Sequence, residues 1–68
     1  MTTRDTIIEC LTKHAEGMIA KHKANVGIYL SNPAGIGEHS DVMESIENEL
    51  DHLAKYHDRL EALKTYFC

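Results

Sequence analysis

Five histidines stand among the 68 residues, at His14, His22, His39, His52 and His57. Imidazole is the side chain that most readily binds metals or moves protons near neutral pH. Glu49 and His52 form a Glu-x-x-His pair, the spacing with which di-metal helical bundles present two ligands from one helix. Such a centre also needs an inward-facing glutamate on the companion helix. Glu9 and Glu16, the glutamates of the first half, both fall away from its apolar side. Glu49 falls at the edge of the apolar face of the second helix, and His52 points well round towards solvent. His22 and His57 instead interrupt apolar stripes, and His14 comes near His57 when the two halves are laid antiparallel. A zinc or copper site built from His14, His22 and His57 would need three or four converging ligands, and the pattern brings together two. These histidines are read as imidazoles at the core edge, hydrogen-bonded to a neighbouring group. No metal and no cofactor is expected. A histidine buried in its neutral form would make the fold lose stability as pH falls, because the unfolded chain takes up the proton more readily.

Other chemistry has less support. Cys10 and Cys68 are too few for a disulfide framework and form no Cys-x-x-Cys pair. Neither has the electropositive neighbours that activate a thiolate. Gly35-Ile36-Gly37 resembles a fragment of a nucleotide loop, but no strand precedes it and no lysine follows it. Nothing pairs a nucleophile with a base, and a helical hairpin offers no deep pocket. The chain is therefore read as non-enzymatic.

The elements that position these residues are two amphipathic helices. The first is expected from about residue 3 to 31, capped by Thr2 or Thr3, with Asp5 in a first turn whose dipole favours negative charge. Its apolar stripe includes Leu11, Met18, His22 and Val26. The second is expected from about 40 to 66. Its core stripe is Met43, Ile46, Leu50, Leu53, His57 and Leu60, in alternating steps of three and four. Asp41 with Glu44 makes an acidic capping box, and Ser40 is an alternative cap. Residues 32–39 form the link, where Pro33 disfavours helix at Asn32 and the glycines open unusual backbone angles. Two helices of similar length joined by a short link fold back antiparallel, with facing residue numbers adding to roughly 71 or 72.

A chain of this size forms one domain, and its own core rarely supplies more than ~3–5 kcal/mol. A lone hairpin leaves each stripe half covered, so the fold class expected is an all-α antiparallel hairpin dimerising into a four-helix bundle. Gly17, Ala20, Ala24 and Gly27 form a second, small-residue face on the first helix. Glycine within a helix costs ~1 kcal/mol relative to alanine, so these positions are read either as a close-approach seam for a partner or as a tolerated plain surface. In the link, Pro33, Ile36, Glu38 and His39 are the candidate partner contacts.

Net charge is −4, with seven acidic residues against three basic ones from Asp41 onward. The second helix would be repelled by phosphate, so direct nucleic-acid binding is not expected. The longest aliphatic or aromatic run is Ile28-Tyr29-Leu30, so no membrane span is expected, and the charged beginning is read as lacking a secretory signal. These features point to a reducing, cytoplasmic setting.

The stretch Asn32-Pro33-Ala34-Gly35-Ile36-Gly37-Glu38-His39-Ser40-Asp41-Val42-Met43-Glu44 resembles the central segment of small uncharacterised helical-hairpin proteins of tailed bacteriophages, of the marine and cyanobacterial type. The likeness runs loosely on to Leu63, about half of the chain. It implies a phage context, in which such proteins serve virion assembly or bind host machinery, and it carries no functional residues across. The expected partners are a second copy of the chain and another phage or host protein. The leading expectation is a homo-oligomeric interaction or assembly module. The alternatives are a phage effector that modulates a host enzyme and a histidine-based metal-binding bundle.

Overall fold

The computed structural model describes residues 2–32 and 41–68. They form two helices, α1 (Thr3–Ser31) and α2 (Val42–Phe67), packed against each other along their length as an antiparallel hairpin. No strand occurs among the described residues. The first helix matches its expected bounds, and the second begins two residues later than expected and ends one residue later. Pro33, Ile36, Glu38 and His39, read as partner contacts, and Ser40, read as an alternative cap, lie outside the described residues.

Both helix starts are capped by side chains. Thr2 Oγ1 accepts from the backbone N–H of Asp5 at 3.0 Å, and Asp41 Oδ1 accepts from that of Glu44 at 3.2 Å. Each cap satisfies a donor that the first helical turn would leave unpaired, and each first turn carries an acid at its positive dipole end. At the far end of α1 the N–H of Asn32 reaches the Ile28 carbonyl at 2.8 Å. The two chain ends are tied together: the Arg4 guanidinium donates to the carbonyl of Phe67 in the last turn of α2. A cation there offsets the negative end of the helix dipole.

The helix–helix seam is narrow. Ala15 and His22 on α1, with Tyr56 and Leu60 on α2, are the buried residues. Ile8, Met18, Ile19, Val26 and Tyr29 are half-buried on α1, as are Val42, Ile46, Leu53 and Leu63 on α2. No large side chain among the described residues is fully buried. The line of α1 nearest α2 is Ile8, Ala15, His22 and Tyr29, and the matching line of α2 is Val42, Glu49, Tyr56 and Leu63, each at seven-residue spacing.

The second line corrects the expected core stripe of α2. Leu60 is buried, and Ile46 and Leu53 are half-buried, but Met43 and Leu50 are 70% and 45% exposed and the His57 side chain is also open to water. On α1, His22 is buried and Met18 and Val26 half-buried, while Leu11 is exposed. The helix has turned by less than one residue, ~70°, from the orientation its hydrophobic pattern suggests, so that Ile46, Leu53 and Leu60 stay towards α1 while Met43, Leu50 and His57 leave it. Two side chains account for the turn. Glu49 is drawn in by His22, and Tyr56 is buried against the rings of His14 and His22, at the level that the His22–Glu49 register assigns to the small, buried Ala15. With Leu50 and His57 facing α1 instead, His22 would be buried against a leucine with no polar partner, which costs ~1–3 kcal/mol.

Candidate functional site

The middle of the hairpin holds a polar cluster built from both helices. His22 Nδ1 lies 2.6 Å from Glu49 Oε2, with the two side chains 7% and 17% exposed. The Asn25 amide donates to the same carboxylate oxygen at 3.2 Å. A carboxylate can only accept, so the proton of this contact resides on His22 Nδ1. The hydrogen bond from His22 holds the Glu49 carboxyl below its ordinary value of 4.5; partial burial opposes this, and Asn25 adds to it. His22 Nε2 is buried and has no hydrogen-bond partner among the described residues.

Rings extend the cluster along the seam. The His52 ring stacks on His22 at 4.8 Å between centroids and 16° between planes. Tyr56 lies nearly parallel to His22 at 6.3 Å, and His14 meets Tyr56 edge-on at 5.6 Å. The Lys55 ammonium and the Arg59 guanidinium each sit 5.0 Å from the Tyr56 centroid. Such contacts contribute ~0.5–1 kcal/mol at exposed positions. His14 thus packs on Tyr56, not on His57, and Glu49 lies in the seam, not at its edge. Tyr56, Asn25 and the basic pair beside the ring were absent from the candidates drawn from sequence. The seven-residue spacing of Val42, Glu49, Tyr56 and Leu63 was the signal that could have found Tyr56 and moved Glu49 inward.

The arrangement orders side chains, and the chemistry it can do is limited. His22 is shielded from solvent, and its polar contacts are already taken on one side. No group of three or more His, Cys, Asp or Glu among the described residues could hold a metal ion. No described helix is long and apolar enough to cross a membrane. A shallow apolar cleft of about 250 Å³ opens between the helices near Leu11, Leu60, Leu63 and Phe67, with Arg59 at its side.

Exposed apolar surface is the other notable feature. Leu30 is 68% exposed, and Met43, Leu50, Ile7, Leu11 and Ile28 are also open to water. The molecule measures 50 × 18 × 16 Å. Its radius of gyration is 15.3 Å, against ~11 Å for a compact chain of this length. Its accessible surface is 5089 Å². A compact monomer of 7.7 kDa has about 4,300 Å², so roughly 750 Å² is in excess. On the small-residue face, Gly17, Ala20, Ala24 and Gly27 are all exposed, and a Cβ added at Gly17 or Gly27 would meet nothing within 4 Å. Within this hairpin, then, no close approach calls for glycine at either position.

Compared with protein-family models, curated proteins and solved structures, the chain matches none of them.

Proposed function

We propose that this chain is a non-enzymatic interaction module that assembles with copies of itself and docks helix faces onto other proteins. One observation carries the reading: the apolar stripe of α2 is only partly covered by its own partner helix, leaving Met43 and Leu50 in water while no large side chain among the described residues is fully buried. Exposed apolar side chains set at helical spacing mark a surface that another helix covers. The excess of roughly 750 Å² is close to the ~800 Å² that a standard interface takes from each partner. Self-association also supplies the burial that so small a domain lacks. The cytoplasm of a phage-infected cell, or the virion itself, is the proposed setting, on the sequence resemblance alone.

Light scattering on a size-exclusion column tests the self-association. The expected mass is twice that of the chain or a higher multiple, and Leu50→Glu should bring it down while circular dichroism stays helical. A folded wild-type monomer at high micromolar concentration would refute the proposal. A second reading draws on the acidic balance of α2, with seven acids against three bases from Asp41 onward. In it the module is a phage effector that covers a basic site on a host enzyme, and its binding would weaken steeply with added salt.

A further inference from the structure

The seam lines define two sides of the hairpin. On each helix, the residue after a seam residue lies ~100° further round. Because α1 and α2 run antiparallel, these residues face the same side on both. That side carries Glu9, Glu16, Lys23 and Leu30 along the edge of α1, and Met43, Leu50, His57 and Lys64 along the edge of α2; all eight are exposed. Between the edges lie the half-buried Ile19, Val26, Ile46 and Leu53. The opposite side holds the Asn25–Glu49 contact, the His22–His52 stack and the cleft beside Leu11 and Arg59.

We infer that a second copy of this chain covers the side of Ile19, Val26, Ile46 and Leu53, with both hairpins pointing the same way and α1 of each lying against α2 of the other. This rests on the reading of the chain as a self-associating module and names the face and the direction. The edges are complementary in this arrangement and no other partner is needed to explain them. Glu9 comes opposite Lys64 of the second copy, Glu16 opposite His57, and Leu30 opposite Met43. Lys23 comes opposite Leu50, where its aliphatic stem covers the leucine and its ammonium stays in water. A two-fold axis parallel to the helices repeats each pair, so one surface serves both copies. With the second hairpin reversed, α1 lies on α1 and α2 on α2. Glu9 would then face Leu30, which sets a carboxylate against hydrocarbon twice over and breaks the Glu9–Lys64 and Leu30–Met43 pairs, leaving Glu16 opposite Lys23 as the one kind of charge pair. The same-direction arrangement instead groups charges at one end and apolar side chains at the other.

Cysteine cross-linking decides between them. In a Cys10→Ser, Cys68→Ser background, Leu30→Cys chains are mixed with Met43→Cys chains and, separately, with Glu9→Cys chains, then oxidised mildly. A disulfide needs Cα atoms within ~7 Å. The expected product is the L30C–M43C disulfide. An L30C–E9C disulfide overturns the direction, and a dimer that yields neither disulfide overturns the face; both outcomes leave the self-associating module standing. A folded monomer by light scattering overturns the arrangement and the module together. Charge exchange gives an independent readout. Glu9→Lys and Lys64→Glu should each weaken the dimer severalfold, and E9K/K64E together should recover most of the loss at low salt. Two single losses that simply add in the double variant would count against the pairing.

Discussion

The His22–Glu49 pair makes the sharpest prediction, because it sits in the seam and replaces what hydrophobic packing would put there. The contact is 2.6 Å long and its side chains are 7% and 17% exposed, so solvent screens it little. Glu49→Leu leaves both His22 nitrogens buried without partners. His22→Leu leaves a half-buried carboxylate with only the Asn25 amide. Stranding a buried polar group costs ~1–3 kcal/mol, more where it is charged, so each single change should lose about 2 kcal/mol. That is near half of the ~3–5 kcal/mol a core of this size supplies. The double variant, H22L/E49L, exchanges a polar pair for an apolar one of similar volume, a change that is often neutral or stabilising. Its loss should be below about 1 kcal/mol against a sum of about 4 for the singles, which gives a coupling of at least about 3 kcal/mol. The assay is urea unfolding followed by circular dichroism at pH 7. All four proteins are held at one concentration, because self-association makes apparent stability depend on it. A double variant whose loss equals the sum of the singles would refute the reasoning, since it would mean that the two side chains do not meet.

Two further outcomes follow from the same geometry. Glu49 has its carboxyl held below 4.5 by His22, so its contribution is fully present above the unfolded value, near pH 4.5, and is lost as pH falls through the lower folded value. The melting temperature of the wild type should therefore drop more steeply below about pH 4.5 than that of Glu49→Gln, measured by thermal unfolding at constant ionic strength; identical curves would remove Glu49 from the acid response. Gly17→Ala and Gly27→Ala fill open space in helix interiors, so each should stabilise the chain by about 1 kcal/mol in urea unfolding. If either variant keeps that gain but loses capture of a partner, the small-residue face is a contact surface; if either destabilises the isolated chain, the open space inferred at its Cβ is wrong.

Helix limits, caps and register were legible in the sequence because each rests on local chemistry. Thr2 and Asp41 cap because their side chains reach an N–H three residues on, whatever the tertiary context. The antiparallel register follows from similar helix lengths and a short link, and it places His22 near residue 50 whichever way α2 is rotated. Rotation was the part that pattern alone misplaced. A strict three-four stripe says that one side of α2 avoids water, and it was assigned to α1 because α1 is the helix the chain provides. The stripe has two possible owners, however: the companion helix and whatever lies beside the hairpin. The contest between them was decided by residues that a count of apolar positions scores as neutral or unfavourable, namely Glu49 with its histidine and Tyr56 across from an alanine.

That contest also gives the rotation a consequence for function. Had Met43, Leu50 and His57 faced α1, the hairpin would have buried its clearest apolar line in its own seam, and the outer side of α2 would have shown water little but charge. By giving the seam to a hydrogen-bonded pair and a tyrosine, the fold keeps a rigid two-helix scaffold and releases aliphatic side chains to one side of it. The polar pair is selective in a way an aliphatic seam is not. Sliding α2 by one residue, or turning it back by ~70°, breaks a 2.6 Å contact outright, whereas leucines facing leucines would tolerate the shift. The buried histidine and half-buried glutamate thus act on the orientation of the exposed stripe. On this argument the H22L/E49L hairpin, freed of that constraint, should rotate Leu50 inward, and an otherwise stable variant should show a weaker dimer. A double variant that dimerises as tightly as the wild type would break the link between the polar seam and the open face.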